Sequence, residues 1–188
     1  MAAVLVEYLD DSEPLTFEDV ASQCRLDDDD ERDFIEHIVI PGARQAAESK
    51  SGAAIRKARY VERMPGFPKG AFPLSIGQVS CVESVTSRAA CGQSATLAAG
   101  TYELVQCGRE TLLAALNGAQ WPDASAVTIT YQAGIDLSRY PSVRLWMLLA
   151  AAWAFDHREL FARGQAVTAM PDGYTDVLLA PICVPTRF

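Results

Sequence analysis

The sequence predicts an α+β chain that is mainly a helical bundle with a small antiparallel β subdomain inserted into it, and three observations carry that expectation. Near the N-terminus, apolar residues recur at helical spacing in two successive segments, predicting two helices. From Gly52 to Gly134 the texture changes to short alternating runs separated by turn residues, which is the pattern of strands. From Pro141 the chain becomes apolar all round, with Leu145, Trp146, Met147, Leu148, Leu149, Trp153 and Phe155, which predicts one long apolar helix. A short C-terminal helix, closing in Leu178-Leu179-Ala180-Pro181, completes the bundle.

The first helix is announced by Thr16 with Asp19 three residues later, a spacing that suits reciprocal capping, and it carries Phe17, Val20, Ala21 and Cys24 on one side before ending near Leu26. The acidic run Asp27–Glu31 then places carboxylates where the positive end of a second helix belongs, and it reads as a helix cap. It lacks the alternating ligands, central glycine and distal glutamate of a calcium loop. The second helix is expected from about Asp29 to Ser49. Pro41 has no N–H and crowds the carbonyl of His37, so a kink or a corner is expected at Ile40-Pro41-Gly42. Strands are expected at Ala58–Val61, Gln78–Thr86, Tyr102–Gln106 and Val127–Tyr131, turns at Met64–Pro68 and Cys91-Gly92, and a short helix at Arg109–Leu116. Pro141 suits the first position of the long helix, and Gly164 its end, giving a rod of about 33 Å. Glu159 and Arg163 are spaced for an ion pair on it. So apolar a helix needs cover on every side, more than a chain of 188 residues readily supplies, so part of it is expected from neighbouring copies.

At this length the chain fits one domain, or one domain with an inserted subdomain. No apolar run reaches the roughly 18 residues of a membrane span, and the N-terminus lacks the charged and apolar regions of a signal peptide. The net charge of −8 argues against a nucleic-acid binder. The cations Arg56, Lys57, Arg59 and Arg63 read as the solvated face of a strand, the other reading being a strip for an acidic partner. The five cysteines are odd in number, form no Cys-x-x-Cys pair, and read as scattered, reduced, mostly buried thiols.

The search for chemistry finds no phosphate-binding glycine loop, no nucleophile elbow and no paired-histidine metal spacing. Nothing aligns Cys91 or Cys107 with His37 or His157 as a nucleophile and base. The expectation is therefore no catalytic residue, no metal site, no cofactor and no enzyme. Asp156-His157-Arg158-Glu159 reads either as a polar cluster closing a subunit interface or as the hydrated end of a buried helix.

A set of landmarks in fixed order nevertheless spans about residues 15 to 181. They are Asp27–Asp30 leading into a helix, Ala43-Arg44 with Ala47-Glu48 and Gly52, Thr96-Leu97, Tyr102, and Trp121-Pro122. Ala126–Gly134, Pro141, the Trp153 to Glu159 helix end and Leu178–Pro181 follow. In these the chain resembles the head-tail connector proteins of tailed bacteriophages, also called adaptors or head-completion proteins. It departs at Pro41-Gly42, at Ala154–His157 and at Ile182–Pro185.

The resemblance implies a single connector domain over 1–188, with a helical body at about 15–50 and 140–181, a β insert at about 53–134 and a C-terminal tail at 171–188. It implies a non-enzymatic virion protein of the neck, assembled in the host cytoplasm into a ring, usually twelvefold. Such a ring docks beneath the portal, completes the DNA-filled head and offers a surface to the stopper or tail-completion protein. DNA passes through its channel without specific binding, and no membrane is involved. By the same analogy Tyr174, Val177, Leu178, Leu179 and Phe188 are the expected portal contacts. Leu145, Trp146, Leu149, Trp153, Arg158 and Glu159 are the expected ring-interface or core residues. Other readings are a tail terminator, a transient assembly chaperone or a small cysteine hydrolase.

Overall fold

The structure, a computed structural model, describes residues 3–158 and 172–185. The chain forms two units, one of helices (Ser12–Ser51 and Asp136–Pro181) and one of strands (Met1–Asp11, Gly52–Ile135 and Ile182–Phe188).

In the helical unit, helix α1 (Phe17–Cys24) starts where the capping pair predicts. The Asp19 amide donates to Thr16 Oγ1 at 3.3 Å, and the Thr16 amide donates to Asp19 Oδ2 at 3.1 Å. Helix α2 (Arg32–Phe34) begins three residues later than expected, and Glu31 makes no side-chain cap bond. The acidic run is used differently: Asp29, together with Glu18 and Glu36, holds the guanidinium of Arg32, which lies 3.9 Å from the Phe17 ring centroid. No corner forms at Pro41. A π turn (Ile35–Val39) leads into helix α3 (Ile40–Ser51), and the chain stays helical from Arg32 to Ser51. The Ile40 amide reaches back five residues to the Ile35 carbonyl, so the widened turn absorbs the hydrogen bond that Pro41 cannot make to His37.

Helix α4 (Pro141–Asp156) corrects the expectation of one long apolar helix. It has 16 residues, about 24 Å, and ends well before Gly164, which lies outside the described residues, as do Glu159 and Arg163. Val143, Trp146, Met147 and Ala151 form its buried stripe, at the spacing of one helix face. Leu148, Leu149, Trp153 and Phe155 are half-buried and Leu145 is exposed. Helix α5 (Asp172–Leu179) is tied to α3 by Lys50 Nζ, 2.7 Å from Asp176 Oδ1.

The β unit is larger than the small insert expected. Strands β1 (Val4–Tyr8), β2 (Ala58–Met64), β4 (Val79–Arg88), β5 (Ser94–Thr96) and β8 (Ala126–Ala133) make one antiparallel sheet in the order β1-β2-β8-β4-β5. Strands β3 (Phe72–Pro73), β6 (Tyr102–Cys107) and β7 (Glu110–Ala115) make a second, in the order β3-β7-β6. With 36% of the residues helical and 29% in strands, neither class dominates, and the mainly helical bundle is overturned. Two segments misled the sequence reading. Val4–Tyr8 is short and shows no alternation, and Glu110–Ala115 is apolar on both faces, so Arg109–Leu116 resembled a helix. Its partner strand and the two-residue turn Gly108-Arg109, with Gly108 at φ 62°, make it half of a hairpin.

Strand β8 lies at the centre of the five-stranded sheet, and Val127, Ile129, Tyr131 and Ala133 all point into the core, as the period-two pattern predicts. Ala58, Tyr60 and Met64 of β2 join them, with the Tyr60 and Tyr131 rings stacked at 5.9 Å. Gly134 ends β8 against the backbone of Lys57; a Cβ there would sit 2.6 Å from Lys57 Cα and 3.0 Å from Lys57 N. Gly134→Ala is therefore expected to destabilise the β unit by about 1–3 kcal/mol, read as a lowered urea midpoint. An unchanged midpoint would show that the close approach is not tight.

Candidate functional site

The outer face of α5 is the clearest candidate contact surface. Tyr174 and Val177, one helical turn apart, are 59% and 68% exposed, while Leu178 and Leu179 turn inward and anchor the helix. Of the five residues expected to touch a portal, two are thus available, two belong to the core, and Phe188 lies outside the described residues. The helical unit also exposes Ile38 on the π turn (61%) and Leu145 on α4 (38%). Isolated exposed apolar side chains are ordinary, and Tyr174 and Val177 stand out only because they are neighbours on one helix face.

The residues expected at a ring interface separate by environment. Trp146 belongs to the buried stripe of α4, and its indole Nε1 has no acceptor among the described residues. Leu149 and Trp153 are half-buried. Arg158 is held within its own unit: its guanidinium lies 4.4 Å from the ring centroids of Phe34 and of Phe155, and Nη1 is 3.0 Å from Glu31 Oε1. His157 stacks on Trp153 at 4.8 Å, its Nδ1 2.9 Å from the Trp153 carbonyl. Arg158 and His157 thus both pack on side chains of their own unit.

Charge is divided unevenly between the units. By sequence the helical unit carries 16 acidic residues against 8 basic, and the β unit carries 8 of each, so the whole net charge of −8 resides on the helical unit. Sequence reading had treated the charge as a property of the whole chain. The division becomes visible only when the two sequence segments of each unit are joined. At the same time the helical unit is laced by arginines, Arg44 between Glu13 and Glu48 at 2.7 Å each, and Arg144 on Asp19 at 2.6 Å.

Partial burial raises the carboxyl of Asp19, but the Thr16 amide and Arg144 outweigh it and hold the group below its usual 3.8. Its own backbone amide and then Arg32 hold Glu18 low as well. A carboxylate lowered in the folded state stabilises the fold above its unfolded value, and the benefit is lost as pH falls through the folded value. The helical unit is thus expected to lose stability progressively below about pH 4, and less steeply in Asp19→Asn. Thermal melts at pH 3 and pH 6 would show it; equal acid sensitivity in the variant would contradict the pairing.

Elsewhere the residues offer little chemistry. All five cysteines are free, and Cys81, Cys91 and Cys107 are exposed, correcting the expectation of mostly buried thiols. His37 Nδ1 lies 3.0 Å from the Asp33 carbonyl within its own helix. No group of three metal-ligating side chains occurs among the described residues, and none of their helices is long and apolar enough to cross a membrane. Of the basic segment, Arg59 pairs with Glu7 and Glu83 across the sheet and Arg56 with Asp10, while Lys57 and Arg63 are exposed.

No protein-family model matches the chain, and no curated protein matches it. Solved structures do. The chain superposes on one from the neck of an empty gene transfer agent particle computed with C6 symmetry, with a TM-score of 0.75 and 20% identity, over 100% of this chain and 98% of the other. The virion of a native gene transfer agent particle gives the same values, and the neck of the native particle computed with C12 symmetry gives 0.69 and 21% over the same shares. Helical unit, β unit and C-terminal segment together thus carry, over the full length, the fold of a chain found in the neck of gene transfer agent particles, in agreement with the resemblance to head-tail connectors.

Proposed function

We propose that this chain is a structural neck protein of a phage-like particle, a non-enzymatic head-tail connector that forms a ring beneath the portal. The observation that supports the reading best is the full-length fold match to neck chains. Two of those neck structures were computed with C6 and C12 symmetry, and a closed ring repeats one head-to-tail interface, which requires each copy to present two unlike surfaces. The exposed apolar side chains Ile38 and Leu145 are available for surface of that kind.

In this reading Tyr174 and Val177 on α5 meet the portal, and Leu178 and Leu179 keep the helix in place. The completed ring carries the stopper or tail, and DNA passes through it. An acidic helical unit facing the channel repels phosphates rather than gripping them, which suits a conduit. Assembly takes place in the host cytoplasm. Tyr174→Asp and Val177→Asp are expected to keep the far-ultraviolet circular dichroism of the parent and lose association with the portal by at least about tenfold. Cys107→Ser should change neither property. Unimpaired portal binding by both charged variants would remove α5 from the contact.

A further inference from the structure

Strand β2 buries a carboxylate that the ring does not explain. Glu62 is 3% exposed, points into the β unit and is held only by neutral donors. The Ser75 amide donates to Oε2 at 2.9 Å, the Ser75 hydroxyl to Oε1 at 2.6 Å, and the Tyr131 hydroxyl to Oε2 at 3.2 Å. No lysine, arginine or histidine neutralises it among the described residues, although a buried carboxylate normally has a cation or a metal. Burial and the neighbouring Glu62 carboxylate push the Tyr131 phenol well above its ordinary range, so the donor stays protonated.

Glu62 also lines a recess of about 490 Å³, in the size range of ligand sites. Its walls are apolar, from Met64, Phe72 and Val184, and its rim carries Pro68, Pro73 and Pro185. Oε1 receives a single hydrogen bond, and a carboxylate oxygen can accept two. Apolar walls beside a buried carboxylate that has no cation among the described residues match a side chain with an aliphatic stem and a cationic head.

We propose that this recess is a receptor for an arginine or lysine side chain of a partner protein docking on the β unit, with Glu62 as the acceptor of its charge. The cationic head completes the hydrogen bonding of Oε1, and the stem packs on the apolar lining of Met64 and Phe72. The recess is a different surface from α5, so it can fail while the ring reading stands, and the reverse.

The test is a titration of the full chain with arginine amide and, separately, norleucine amide, followed by the amide resonances of Ser75 and Ile76. Arginine amide is expected to shift both resonances saturably, norleucine amide to shift them little, and Glu62→Gln to abolish the arginine response. Equal or absent responses to the two amides up to about 50 mM would overturn the proposal without recourse to any variant. Two further outcomes would also overturn it. Arginine amide that binds only to Arg187→Ala would make the chain's own C-terminal segment the occupant. Self-association lost in Glu62→Gln would make it a second copy.

Discussion

Met147→Asp is expected to unfold the helical unit. Met147 is fully buried on α4, in the stripe that also contains Val143, Trp146 and Ala151. The substitution removes most of a buried side chain, a loss of about 2–5 kcal/mol by itself, and places a carboxylate where nothing can hydrate it. Together these approach the whole stability of a small domain, about 5–15 kcal/mol. The measurement is circular dichroism with a urea titration, and a cooperative transition near that of the parent would contradict the assignment of this face to the core. Leu145→Asp, on the exposed side of the same helix, is the matched control: it should fold like the parent. Leu149→Asp and Trp153→Asp alter half-buried positions and are expected to cost either folding or assembly.

Arg44→Ala is expected to destabilise the helical unit by about 3–5 kcal/mol. Arg44 is only 2% exposed, with Nε 2.7 Å from Glu13 Oε2 and Nη1 2.7 Å from Glu48 Oε2. Removing it leaves two largely buried carboxylates facing each other without their cation, so the cost comes more from the charges left behind than from the pair itself. Arg44→Met is the informative companion, because it keeps the stem. If both variants melt with the parent, the Glu13-Arg44-Glu48 bridge contributes nothing to folding.

How much of this was legible in the sequence depended on how local the determining interaction was. The Thr16/Asp19 capping box acts over three residues and was read correctly. Strand β8 was read correctly because its alternation is strict and one face is fully buried. The acidic run was located but given the wrong use, since its partner Arg32 is local while Glu18 comes from another helix. Strand β6 was anticipated at Tyr102–Gln106, but its hairpin partner β7 was misread as a helix because Leu112 and Ala114 hide the alternation, and its pairing with β6 and β3 is what resolves it. The long helix was overestimated because a run of apolar residues shows that burial is wanted, not where the helix ends.

The candidate surfaces followed the same rule. The resemblance singled out Tyr174, Val177, Leu178 and Leu179 together, but which of these four α5 residues face outward depends on packing against α3 and α4, which no local pattern encodes. Glu62 escaped notice entirely. It sits between Val61 and Arg63 in a strand of mixed charge, and its burial follows from the face of β2 that it occupies. The one available signal was the alternation itself, which puts Glu62 on the same face as Ala58, Tyr60 and Met64.

The central claim is that this chain forms a ring in the neck of a particle, and it is tested most directly by native mass measurement and electron microscopy of the purified chain mixed with the portal protein of the same particle. A monomer alone is compatible with the claim, because a ring can wait for its platform. The account predicts a stoichiometric complex in which several copies of this chain sit as one cyclic ring on the portal, with twelve copies the expected number. Failure to associate with the portal, together with absence of the chain from purified particles, would contradict it.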